Sequence, residues 1–409
     1  RTHRIIRSSM DLSDVNITSI CPLNEAELLV GTEGMGLHKL DVNTCVMQPY
    51  IIADYESNNG MNGNNINDIY VDEKKRIWLA NYFEGITVVD ARYKNYDWIK
   101  HSIGNRQSLV NDQVHAVIED SEGDLWFGTS NGISLYNRRT QKWHSFLSSV
   151  DHHLKDKNHV FVTLCEVSPG VIWAGGYTSG IYKINKQALS VEYFFTFLLT
   201  PVNMQPDKYI RGMIKDSKGY IWSGGFYNLK CFNTQNNSVR LYPGVNSITA
   251  IAEKDSDFMW IGTATGLYLL DRNTGSYQYV GLPVESNYVN ALYQSAGGLL
   301  YVGTNGSGVL VYDSRNKTFE HYYTDNCALV SNNIYAILPE VDGRIIMSTE
   351  NGITSFHIKN KTFHNRTSEQ GLLSACFNPS SGTLCRNGGF VLGSTDGAVA
   401  VSYTHLTLP

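Results

Sequence analysis

Gly128-Thr129-Ser130-Asn131-Gly132 has the G-x-S-x-G form of a hydrolase nucleophile elbow, in which a sharp strand-to-helix turn holds a serine hydroxyl out for attack. The same slot later reads Gly262-Thr263-Ala264-Thr265-Gly266, with alanine where the nucleophile would stand, so the pattern follows from repetition. Asp151-His152-His153 and His159 offer metal-ligating residue types without H-E-x-x-H spacing, in a Lys- and Asp-rich segment that reads as a solvated connector. No unusual carboxylate pair recurs that would suit glycosidase chemistry. No catalytic set, metal site or cofactor is expected.

Aromatic residues at the tips of one recurring turn are more informative. Most copies of the turn carry small polar residues, as in Ser130-Asn131, Ala264-Thr265 and Glu350-Asn351. Others carry Tyr82-Phe83-Glu84, Tyr177-Thr178 and Phe226-Tyr227. Aromatic faces there would stack on a flat ligand such as a sugar ring, and nearby Lys208, Tyr209 and Arg211 would add charge for an acidic sugar. The candidate ligand-binding set is therefore Tyr82, Phe83, Glu84, Tyr177, Lys208, Tyr209, Arg211, Phe226 and Tyr227. The competing reading is packing between repeats or against a neighbouring domain, with the charged residues as plain channel lining.

These turns belong to a phrase that recurs nine times. Its clearest forms are Leu125-Trp126-Phe127-Gly128-Thr129, Ile77-Trp78-Leu79-Ala80-Asn81, Ile172-Trp173-Ala174-Gly175-Gly176, Ile221-Trp222-Ser223-Gly224-Gly225 and Met259-Trp260-Ile261-Gly262-Thr263. Weaker copies centre on Leu29, Tyr301, Ile346 and Val391, giving a period of roughly 38–49 residues. Within repeat three, Val114–Ile118, Leu125–Thr129, Ile133–Tyr136 and Lys142–Phe146 are β-rich runs separated by Asn, Asp and Gly turns. That alternation predicts antiparallel strands joined by hairpins, with few helices. A glycine follows the second turn at 36, 85, 132, 180, 266, 308, 352 and 397, with Asn228 in repeat five, which suggests a backbone need for positive φ. Asp72, Asp120, Asp216 and Asp342 open the first turn as acceptors for backbone N–H groups.

Four strands per repeat of this length predict an all-β chain folded as a β-propeller, with the tryptophans packing between consecutive blades. Nine repeats exceed the usual four to eight blades. The expected division is 1–101 as two C-terminal blades of a first propeller and 102–402 as a propeller of seven four-stranded blades, with 403–409 a truncated or non-native tail. A rival register closes the first seven repeats and leaves two over. Either way the chain reads as a piece of a longer one, in keeping with Arg1 at its start.

Composition narrows the partners. A net charge of −5 and no basic block argue against nucleic acid, and no run of 18 apolar residues is present to span a membrane. The seven cysteines are odd in number and lack C-x-x-C spacing, so they read as small core residues.

Val114 to Thr129 continuing through Tyr136 and Thr140, Ser247 to Tyr277, and Asn332 to Phe363 together resemble two-component regulator propeller repeats. Such repeats are found in the periplasmic sensor half of hybrid two-component systems of gut-dwelling Bacteroidetes. The resemblance implies two seven-bladed propellers, then a small β-sandwich, a membrane helix and kinase modules, in a receptor acting as a homodimer. It implies oligosaccharide sensing in the periplasm, with no enzymatic activity in this part. Gly371 to Asn378, leading to Gly388-Gly389-Phe390, is similar to the family's closing blade, although Ala375-Cys376-Phe377-Asn378 stands where Asn-x-Phe-Asn is usual. Two other functions stay open: a glycan-active enzyme of lyase or sialidase-like type, and a protein-interaction scaffold.

Overall fold

The computed structural model describes residues 7–8, 16–53, 61, 63–89, 96–148, 159–194, 208–339, 341–368, 372, 374 and 376–401. These residues form strands and turns with no α-helix among them. The chain divides into two compact units, Arg1–Asn95 and Tyr96–Pro409.

In the first unit, the four strands of repeat one form a sheet that Arg7–Ser8 extends by pairing parallel to Val46–Ile51. Repeat two contributes Ile66–Val71, Ile77–Asn81 and Gly85–Val89 as a three-stranded sheet.

The second unit holds seven four-stranded antiparallel sheets. Repeats three to eight each form one by consecutive hairpins. The seventh combines Phe377–Leu384, Phe390–Ser394 and Gly397–Val401 of repeat nine with Asp97–Ile99. That last strand falls within the 1–101 segment that the repeat pattern assigns to the first piece; its pairing places it in the second unit. The first strand of each sheet lies against the first strand of the next, and Phe377–Leu384 lies against Val114–Glu119, so the cycle closes.

Burial follows from this stacking, because neither face of one sheet is covered until its neighbours arrive. Seven apolar clusters occupy the seven junctions between consecutive sheets. Trp126, Trp173, Trp222 and Trp260 are buried in four of them. Tyr301, Ile346 and Val391 take the tryptophan position in the other three. Trp78 is only partly buried, since among the described residues repeat two forms the last sheet of its unit.

All eight recurrent glycines and Asn228 have positive φ. At Gly308 a second constraint acts, because an added Cβ would meet the Tyr322 carbonyl oxygen at 2.2 Å. Asp342 differs from its expected role: with φ of 50° it forms a two-residue Asp-Gly hairpin turn with Gly343. Among the cysteines, Cys165, Cys231 and Cys385 are buried, and burial pushes the thiols of Cys165 and Cys231 up to about 12. Cys376 is exposed, contrary to the reading of all seven as core residues.

At the end bearing the turns between first and second strands, adjacent sheets are clamped. Asp120 Oδ1 accepts from the amides of Glu122 (2.9 Å) and Asp124 (3.0 Å), as a turn aspartate should. Its Oδ2 accepts from the Trp126 indole at 2.9 Å and from Lys186 of the next repeat at 2.6 Å. Asp216 receives the Trp222 indole at 2.7 Å and the Arg272 guanidinium in the same way. Ser121 bonds Glu166, and Ser217 bonds Glu253, through backbone amide and hydroxyl together. The Arg386 amide donates to Glu119 at 2.8 Å, carrying the same latch from repeat nine to repeat three.

Burial opposes the charge of Asp120, but hydrogen bonds from Lys186 and Trp126 outweigh it and hold its carboxyl below the ordinary value. The stability this gives is complete above the unfolded carboxylate value of about 3.9 and is lost as pH falls through the lower folded value. Lys186 is held above its ordinary value, the bonds to Asp120, Asp124 and Glu122 overcoming burial, so its share fades only as pH rises through that higher value. Asp120→Asn is expected to lower unfolding free energy by about 1.5–3 kcal/mol at neutral pH and to flatten the acid decline. Urea denaturation of both proteins across a pH series measures this, and parallel acid limbs would refute it.

Candidate functional site

Every first strand carries the same irregularity. Pairing with the second strand skips one residue: between Val114 and Ala116, Phe161 and Thr163, Ile210 and Gly212, Ile248 and Ala250, Val289 and Ala291, and Ile334 and Ala336. Repeat nine has a longer skip, between Phe377 and Gly382. Such bulges free a side chain from the ladder and re-aim it. The bulged residues are His115, Val162, Arg211, Thr249, Asn290 and Tyr335, with Asn378 to Ser381 in the last sheet. Each bulge lies beside the turn between second and third strands, as the pair Val114 and Thr129 illustrates. Small residues follow it (Ala116, Thr163, Gly212, Ala250, Ala291, Ala336 and Gly382), and they leave a cavity of about 270 Å³ along the axis.

Around this mouth the bulged side chains find different partners. Thr249 donates to the Val289 carbonyl, and Asn378 donates to the Val114 carbonyl at 2.8 Å, each tying one sheet to another across a junction of the ring. His115 Nε2 lies 2.8 Å from Ser130 Oγ, which itself donates to Gln113 Oε1 at 2.9 Å. With its proton committed to Gln113, the Ser130 hydroxyl accepts from His115, whereas an activating base would have to take that proton. The turn is also a hairpin between two strands, Leu125–Thr129 and Gly132–Asn137, and not the strand-to-helix elbow that chemistry needs.

Repeats four and five gather the aromatic candidates. Tyr209 stands between two exposed neighbours: Phe226 stacks on it with centroids 4.3 Å apart, and Tyr177 meets it edge-on at 4.9 Å. Tyr177, Phe226 and Tyr227 are each about half exposed. Backbone bonds fix the shelf, from Tyr177 to the Val160 carbonyl (2.9 Å), from Gly180 to the Lys208 carbonyl (3.0 Å) and from Ser247 to the Phe226 carbonyl (2.9 Å). Burial raises the pKa of the Tyr209 hydroxyl, and the positive charge of Arg211, with a hydrogen bond from it, partly offsets this. Arg211 also donates to Tyr288 Oη at 2.6 Å and lies over the Tyr288 ring. The Lys208 side chain is exposed beside them.

The remaining candidates fall in the first unit. Tyr82 and Phe83 pack at 4.1 Å, and Phe83, at φ 63°, is 91% exposed at its turn tip beside Glu84. Tyr288 and the bulge itself escaped the sequence reading; the varied residue between two aliphatics at the start of each first strand was the available signal. Asp151, His152 and His153 lie outside the described residues, as does the tail 403–409. His159 is buried, stacked parallel to Phe161. Among the described residues no three His, Cys, Asp or Glu side chains come together as metal ligands.

Four-stranded sheets stacked in a closed cycle about a hollow axis define a β-propeller. Residues 60–83 and 108–131 match the two component regulator propeller family. Histidine kinase P4 of Formosa agariphila is 22% identical over 282 residues, 61% of this chain, which spans only 20% of that protein. The extracellular domain of a hybrid two component system from B. thetaiotaomicron is similar in fold, with TM-score 0.68 and 23% identity, over 95% of this chain and 51% of that one. A virginiamycin B lyase from Staphylococcus aureus is also similar, with TM-score 0.58 and 13% identity, over 75% of this chain and 99% of that one.

Proposed function

We propose that the chain is the ligand-sensing part of an extracytoplasmic receptor of the hybrid two-component type, and that its ligand is an oligosaccharide. Family repeats and the likeness to a sensor's extracellular domain support the sensor role. The shelf of Tyr177, Tyr209 and Phe226, continued by the half-exposed Tyr227 next to Phe226 in the same turn, carries the ligand assignment, because it presents aromatic faces at the propeller mouth with polar groups around them. A periplasmic location, a membrane helix, kinase modules and pairing of receptors belong to this proposal and to segments beyond this chain. Binding here signals only if the ligand favours one arrangement of the paired receptors over another. The lyase likeness is one of fold and brings no activity with it.

Thermal denaturation of the chain against a panel of neutral and acidic oligosaccharides tests the assignment, since a ligand specific for the native state raises the melting point. Tyr177→Ala and Tyr227→Ala are each expected to weaken the hit by about 0.5–1.5 kcal/mol, roughly two- to twelvefold, with the melting point of the free protein unchanged. Undiminished affinity in both variants would rule out the shelf. Turnover of a panel member would favour an enzyme, and a stable protein complex with no sugar shift would favour a scaffold.

A further inference from the structure

Resting on the reading of this face as a sugar site, we infer that the ligand carries an anionic group, a carboxylate or sulfate, and that Arg211 takes it at the mouth of the axial cavity. Among the described residues lining that cavity, Arg211 supplies the only charge. Its neighbours are the hydroxyls of Tyr209 and Tyr288, and among the described residues no carboxylate pairs with it. Two other arginines of this unit are neutralised by carboxylates: Arg138 by Glu119, and Arg272 by Asp216 and Glu253. A guanidinium offers a planar fork of N–H donors matched to carboxylate and sulfate oxygens. Two phenol oxygens leave part of that fork without an acceptor among the described residues.

A buried donor stands two residues beyond Tyr288. Asn290 is the bulged residue of repeat seven and only 2% exposed, yet its Nδ2 has no partner among the described residues. Its backbone carbonyl accepts from Ser380 of repeat nine, a residue of the axial wall. Buried donors left without acceptors are costly unless a ligand or water completes them. Asn287 Oδ1, in the same stretch, has no donor among the described residues and suits a sugar hydroxyl. The net charge of −5 gives no long-range pull on an anion, so selection rests on these local contacts. The aromatic shelf then holds the ring while the fork reads the acid.

Calorimetry on the whole chain, with tetragalacturonate against its methyl ester and κ-carrageenan tetrasaccharide against its desulfated form, tests this directly. In at least one pair the charged member is expected to bind at least about tenfold tighter, and more weakly as salt rises. Arg211→Gln should abolish the preference, Arg211→Lys should keep part of it, and Tyr227→Ala should weaken both members alike. Equal affinity within both pairs, or a preference that survives in Arg211→Gln, overturns the acid assignment while leaving the sugar reading intact. No binding in either pair also overturns it, and the neutral members of the thermal panel then decide the sugar reading separately.

Discussion

A chain begun at residue 102 should fail to form a stable propeller, whereas one begun at Tyr96 should fold. The difference is six residues that contain the fourth strand of the seventh sheet. Asp97, Trp98 and Ile99 pair antiparallel with Ala400, Val399 and Ala398. Trp98 is 9% exposed and Tyr96 is buried, both in the cluster joining repeats eight and nine. Without them Gly397–Val401 becomes an open edge, a template for association with other chains. Losing the Trp98 side chain alone costs about 3–5 kcal/mol, a large part of the 5–15 kcal/mol that holds a typical domain. Size-exclusion chromatography and thermal denaturation of chains 96–401 and 102–401 compare the two. Equal melting points and monomeric elution of both would show that the closing strand is dispensable.

Trp126→Ala should cost about 3–5 kcal/mol in unfolding free energy, and Trp78→Ala well under half of that in its own unit's transition. Both residues fill one slot of one phrase, so propensity and neighbours in sequence barely separate them. Their surroundings do. Trp126 is 0% exposed, stacked on Phe146 at 5.7 Å and hydrogen-bonded to Asp120. Trp78 bonds Asp72 at 3.0 Å and lies under Arg76, but remains partly open to solvent. Truncation at the first site leaves a closed void, which packing cannot refill, while at the second water enters. Urea denaturation read by far-ultraviolet circular dichroism gives both values. Similar costs would mean that burial by a following sheet does not set the energetics.

Much of this fold was legible in the repeats, and the reasons are local. Hairpin turns, strand alternation and the glycine after the second turn each depend on a few neighbouring residues, and the positive φ values at Gly132 and Asn228 follow from that. The closing strand was not legible, because Asp97-Trp98-Ile99 follows repeat two in sequence and its partner lies at the far end of the chain. The spacing of Asp120 and Trp126 recurs in repeats two, three and five, but the bond between them and the reach of Lys186 need the folded sheets. Tyr209, Phe226 and Arg211 were visible as departures from small polar turns. Tyr288 was not, because its contact with Arg211 spans two sheets.

The residue skipped in each first strand stands outside the backbone ladder, so its side chain carries no share of the pairing. Since the ladder passes it by, exchanging Val162 or Arg211 alters no paired backbone group, and the ring keeps its hoop of contacts. Thr249 and Asn378 use the same slot to tie neighbouring sheets together, so one register position braces the ring in some sheets and is released from that duty in others.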